Sequence, residues 1–106
     1  MIAESVKNNL SSIFNICERY GVKSLYLFGS ATNNSFAQHS DPDFVIDYFK
    51  DAEGLPLAPF DYFDVLFSLE NVTGKKVDLV VKDAIRNSYF KKSLEASKIL
   101  IYEKRN

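Results

Sequence analysis

Apolar positions recur every three or four residues over 2–20: Ile2, Val6, Leu10, Ile13, Phe14, Cys17 and Tyr20 form one stripe. That spacing predicts an amphipathic helix, which Gly21 ends in the left-handed conformation. The pattern then changes to a nearly continuous apolar run at 24–28, SLYLF, the signature of a buried strand. A second such run, DFVIDYF, occupies 43–49 and is rich in β-formers. Residues 50–59 hold Gly54, Pro56 and Pro59 and read as a loop. Helical spacing resumes over 60–72, with Pro59 suited to the first turn and Gly74 closing the helix. KVDLVV at 76–81 predicts a third strand. Asp83 reads as the cap of a helix reaching residue 97, with a break near Asn87-Ser88, and 99–102 as a last short strand. The order predicts an α/β (α+β) domain: a small mixed sheet of about four strands flanked by helices.

Composition narrows the class. A length of 106 residues fits one domain over 1–106. No apolar run approaches the roughly 18 residues of a membrane span. The start, MIAESVKNN, lacks the basic-then-apolar order of a secretion leader. The single cysteine, Cys17, excludes an internal disulfide and a cysteine zinc cage. It lies on the apolar stripe and reads as core filler. A reducing cytoplasm is the expected location. Charge is split along the chain. Residues 1–74 carry four Lys/Arg against ten Asp/Glu, and residues 75–106 carry nine against four. A chain-wide basic footprint for duplex DNA is missing. The basic end reads as a solvated helix face or as a surface for a phosphate or an acidic partner.

The chemistry concentrates between residues 25 and 44, LYLFGSATNNSFAQHSDPDF. Strand residues alternate, so Asp41 and Asp43 point to one side, roughly 6.5–7 Å apart. Pro42 points the other way; lacking an N–H, it is tolerated at a strand start and keeps Asp41 extended. Two carboxylates on one side repel unless a cation lies between them. Oxygen ligands without His or Cys suit Mg²⁺ or Mn²⁺. Asp78 supplies a third acid, interrupting the apolar strand KVDLVV, where a lone charge is costly. If its strand lies beside 43–49, the three acids converge into a set able to hold two metals about 3.5–4 Å apart, the clamp of phosphoryl and nucleotidyl transfer. Gly29 lets the backbone approach a ligand, Ser30 adds a hydroxyl, and a short helix opening over 30–34 favours a phosphate at its N-terminus. Each feature alone is a weak signal; their order and spacing together are much stronger.

These residues resemble the nucleotidyltransferase superfamily of DNA polymerase β type: Gly29-Ser30, a spacer, Asp41 and Asp43 at a strand start, then Asp78 on a neighbouring strand. More narrowly the chain resembles the minimal nucleotidyltransferases (MNT proteins), short single domains encoded beside a helical HEPN partner. The similarity runs through "LYLFGSAT", "SDPDFVIDY", "FDVLFSLENVTGKKVDLVVKDAIRN" and "KILIYE". It implies the polymerase β-like nucleotidyltransferase fold and an ATP-dependent adenylyltransferase that acts as an antitoxin, placing AMP on a tyrosine of the HEPN ribonuclease toxin. It also implies roles. Asp41 and Asp43 would bind the metals and the triphosphate, Asp78 would be the base or hold the activating metal, and Gly29 and Ser30 would bind phosphates. Two positions depart from the pattern: Asn33 stands where many relatives carry Arg, and Pro42 where Leu or Ile is usual.

Other polar residues carry weaker expectations. His39, the only histidine, reads as a solvated loop residue. Asp47 shares the side of Asp43 but lies about 13 Å further along, too far for the same metal. Lys75 and Lys76 read as a helix-end cap or as groups that orient the triphosphate, and Arg86 is similar. The helix over 60–72 has apolar residues on more than one face, which leaves room for a protein-docking patch. A catalytically weak nucleotide-binding module that masks its partner is the competing function. A nucleic-acid nucleotidyltransferase would need further domains, so no stable nucleic-acid complex and no membrane is expected. The assembly, homo- or hetero-oligomer, stays open.

Overall fold

The computed structural model describes residues 4–28, 41–57 and 59–104. In chain order they form α1 (Glu4–Lys7), α2 (Leu10–Arg19), β1 (Val22–Phe28), β2 (Asp43–Tyr48), α3 (Tyr62–Thr73), β3 (Asp78–Val81), α4 (Ser88–Ser97) and β4 (Ile99–Glu103). The sheet order is β3-β2-β1-β4. β1 runs antiparallel to β2 and β4, whereas β2 and β3 are parallel. The sheet is therefore mixed, four-stranded and covered by helices, as the hydrophobic pattern predicts. Among the described residues no helix is long and apolar enough to cross a membrane.

Strand alternation divides the apolar residues between two faces. Leu25, Leu27, Phe44 and Ile46 pack with Val6, Ile13 and Cys17 and with Val65 and Leu69 of α3, the larger core. Val45 turns to the opposite face and meets Ile85 and Leu94 under α4. Burial pushes the Cys17 thiol up to about 12, so it is an inert packing group, in line with the core-filler reading.

β1 starts two residues earlier than the pattern suggests, at Val22, and β3 two residues later, at Asp78. Three helix boundaries differ as well, each for a local reason. The helix expected over 2–20 is broken between α1 and α2. The Asn9 side-chain amide donates to the Ser5 carbonyl at 2.7 Å, while its backbone N–H turns to Val6 at 3.0 Å. The side chain thus takes the acceptor an unbroken helix would use. Asp61, not Pro59, opens α3, its carboxylate accepting from the Asp64 N–H at 3.0 Å; Gly74 closes that helix with φ 67°. Asn87, not Asp83, caps α4, accepting from the Phe90 N–H at 3.0 Å. Asp83 lies in a 3-10 turn (Lys82–Ala84) and pairs with Lys50 at 2.6 Å. The helical turn expected over 30–34 lies outside the described residues.

α3 offers a direct check, because Leu69 is fully buried and Phe67 is 59% exposed. Urea unfolding is expected to show Leu69→Ala losing about 2–5 kcal/mol. Phe67→Ala is expected to stay within about 0.5 kcal/mol of the parent.

Candidate active site

The site is built on Pro42. Its ring is fully buried, it has no N–H to leave unpaired, and its carbonyl accepts the Asp78 N–H at 3.1 Å. The residue that departs from the usual D-x-D pattern therefore joins the two strands that carry the acids. Asp43 opens β2, Asp78 opens β3, and the parallel register sets them opposite each other. Neighbouring strands lie about 4.7–4.9 Å apart, so paired residues project their side chains to one face at close range. Asp41, Asp43, Lys76, Val77 and Asp78 line an open pocket of about 370 Å³. The three predicted acids are thus brought together, with Lys76 as a basic neighbour.

The charges are not balanced within the pocket. Burial, then the charges of Asp78 and Asp41, hold the Asp43 carboxyl above its usual range. Among the described residues no three acids are already gathered closely enough to hold an ion on their own. The donor set nevertheless fits a hard divalent cation: three carboxylates face one space, and their mutual repulsion is what a cation relieves. Asp47 provides the contrast. It is buried on the same strand, but its charge is met by Lys50 at 3.0 Å and Lys23 at 4.0 Å. Its role is structural, as its distance from Asp43 predicts.

Two residues on α3 escape sequence reasoning. The Tyr62 hydroxyl donates to the Leu79 carbonyl, and burial followed by the Asp78 charge pushes its phenol up. The Glu70 carboxylate accepts the Val77 N–H at 3.0 Å. One signal for Glu70 was present: an acid in the last turn of a helix opposes the helix dipole.

Gly29, Ser30, Asn33 and His39 lie outside the described residues. Phe28, the residue before Gly29, pairs with Asp43, so β1 ends beside the acids. Arg86 is not in the acid pocket; its guanidinium donates to the Asp83 carbonyl. A larger hollow of about 480 Å³ runs along Lys82, Arg86 and Lys91 over Ile85 and Leu94. It shares no residue with the acid pocket, and its acids, Asp83 and Glu95, are paired with Lys50 and Lys98. Of the two hollows among the described residues, the acid pocket is the one whose lining carries three carboxylates suited to metal-assisted transfer.

With this geometry in place, known proteins give a consistent picture. The family described as polymerase beta, nucleotidyltransferase matches residues 11–106. A Methanocaldococcus jannaschii protein named as a candidate protein adenylyltransferase is 37% identical over 84 residues, 79% of this chain and 81% of its own. A second protein of that name and organism is 38% identical over 84 residues with the same coverage. A solved structure described as a candidate minimal nucleotidyltransferase superposes with a TM-score of 0.69 at 22% identity, covering 93% of this chain and 95% of its own. A chain from a tri-AMPylated Shewanella oneidensis HEPN toxin in complex with MNT antitoxin gives 0.61 at 15% identity, covering 92% and 72%. At these identities the solved structures establish the shared fold.

The raised Asp43 carboxyl has a thermodynamic signature. Folding retains a proton that the unfolded chain releases at lower pH, so this contribution is fully present below the unfolded value. It is lost as pH rises through the raised folded value. At neutral pH without divalent ions, Asp43→Asn is expected to melt at a higher temperature than the parent. The gap is expected to close as pH falls below that window. Calorimetric scans across pH check both the sign and the convergence.

Proposed function

The chain belongs to the polymerase beta nucleotidyltransferase family, and from that membership we propose that it is an antitoxin that transfers AMP from ATP to a tyrosine hydroxyl of a HEPN-type toxin. The observation that carries this reading is the parallel register of Asp43 and Asp78, with Asp41 in the same pocket. The names of the relatives support the adenylyl group, and the shared fold of the MNT–HEPN complex supports the partner.

The reaction needs little covalent chemistry from the protein and much positioning. The tyrosine oxygen bonds to the α-phosphorus, the bond from that phosphorus to the pyrophosphate oxygen breaks, and pyrophosphate leaves. Asp41 and Asp43 would hold Mg²⁺ (or Mn²⁺), which when bound neutralises the triphosphate and the leaving group. Asp78, on the neighbouring strand, takes the tyrosine proton. Lys76 lines the same pocket, and its ammonium would attract the phosphates. Gly29 and Ser30 complete the phosphate grip in this proposal. A domain of this size leaves acceptor choice to the protein that carries the tyrosine, and a cytoplasmic meeting place belongs to the same reading.

The test combines the protein with its HEPN partner, ATP and Mg²⁺ and weighs the partner by mass spectrometry. One or more AMP groups on tyrosine are expected, with Asp43→Ala reducing transfer by roughly 10²-fold or more. Neutralisation that survives Asp43→Ala without any adduct would instead identify a masking module. Calorimetry gives a second check: ATP binding is expected with a divalent cation and is expected to vanish in excess chelator. Equal binding in chelator would remove the metal-clamp part of the proposal.

A further inference from the structure

β3 is a weak platform for a reactive acid. It is four residues long, it lies at the edge of the sheet, and Asp78 is its first residue. Strand ends fray, and an edge strand has hydrogen-bonding partners on one side only. The backbone groups alternate in direction. The Asp78 N–H points inward to the Pro42 carbonyl, while the Val77 N–H and the Leu79 carbonyl turn to the open edge. Both outward groups are taken by side chains of α3: Glu70 accepts from Val77 at 3.0 Å, and Tyr62 donates to Leu79.

From this we propose that Glu70 and Tyr62 are positioning residues for nucleotidyl transfer, which hold Asp78 in place by tying down the residues on either side of it. The proposal rests on the acid pocket being the reactive centre. α3 is itself anchored in the main core through Val65 and Leu69, so the grip is referenced to the rigid part of the molecule. Neither residue lines the acid pocket. Their effect is therefore on the placement of Asp78, not on contact with substrate. An edge cover alone would stabilise the fold; a grip on the flanks of Asp78 also sets the rate.

Three variants separate these roles: Glu70→Ala, Glu70→Gln and Tyr62→Phe, with Asn87→Ala, which removes the α4 cap, as a stability control. Single-turnover AMP transfer to the partner is expected to fall about 10–100-fold in Glu70→Ala, with KM for ATP little changed. Tyr62→Phe is expected to lower the rate in the same way. Glu70→Gln keeps an acceptor oxygen and is expected to restore most of the rate. Asn87→Ala is expected to melt lower yet transfer at the parent rate. Amide hydrogen exchange supplies a readout independent of activity: Val77 and Asp78 lose protection in Glu70→Ala while the β1 amides keep theirs. If Glu70→Ala transfers at the parent rate, or if rate loss tracks melting temperature across all four variants, the positioning role is overturned. If the parent protein itself places no AMP on the partner, the tyrosine-target reading falls. The exchange experiment then decides the grip: protection lost at Val77 and Asp78 in Glu70→Ala and recovered in Glu70→Gln supports it, and unchanged protection overturns it.

Discussion

The structure turns on two like charges that the backbone holds side by side. Asp43 and Asp78 face each other across a parallel strand pair, and Pro42 welds that pair through its carbonyl. Carboxylates left to themselves separate; here the hydrogen-bonded ladder keeps them close, and Asp43 is partly withdrawn from water. The cost appears as a carboxyl that resists ionisation. Asp47 shows the alternative on the same strand, a buried acid whose charge is met by lysines. The two acids differ in their surroundings: the fold sets lysines beside Asp47, whereas the charges that act on Asp43 are those of Asp78 and Asp41.

The rest of the architecture serves that juxtaposition. Phe44 and Ile46 anchor β2 into the larger core, which aims the intervening Val45 and the preceding Asp43 at the other face. α3 packs Val65 and Leu69 into the same core and extends Tyr62 and Glu70 to the β3 edge. One helix thus stabilises the sheet and covers the strand end that bears the third acid. Like charges stay side by side only where the elements that carry them are held in place; the buried contacts of Val65 and Leu69 tie α3 to the sheet core.

Much of this was legible before any coordinates. Asp41 and Asp43 stood out as two carboxylates on one side of a strand start, and Asp78 as a charge inside the apolar run KVDLVV. The structure corrects the latter, since β3 begins at Asp78, which is exposed there because Lys76 and Val77 precede the strand. The element types followed from periodicity, and Gly74 marked a helix end because a left-handed residue is needed there. The errors were side-chain competitions for backbone groups. Asn9 captured the Ser5 carbonyl and split the first helix, and Asn87 rather than Asp83 met the free N–H at the start of α4. Such contests are decided by differences comparable to one hydrogen bond, which periodicity does not register.

The sequence by itself determined the order of elements, the apolar runs that become the buried strands, and the three acids as candidates. These depend on local periodicity and on the chemistry of single residues. Tertiary structure alone decided that β3 lies beside β2, that the pair is parallel, and that its register sets Asp78 opposite Asp43 instead of two residues away. It also decided that Glu70 and Tyr62 reach the outer edge of β3. Register and strand partnership are properties of how separate segments pack against one core, and no short stretch of chain contains that information.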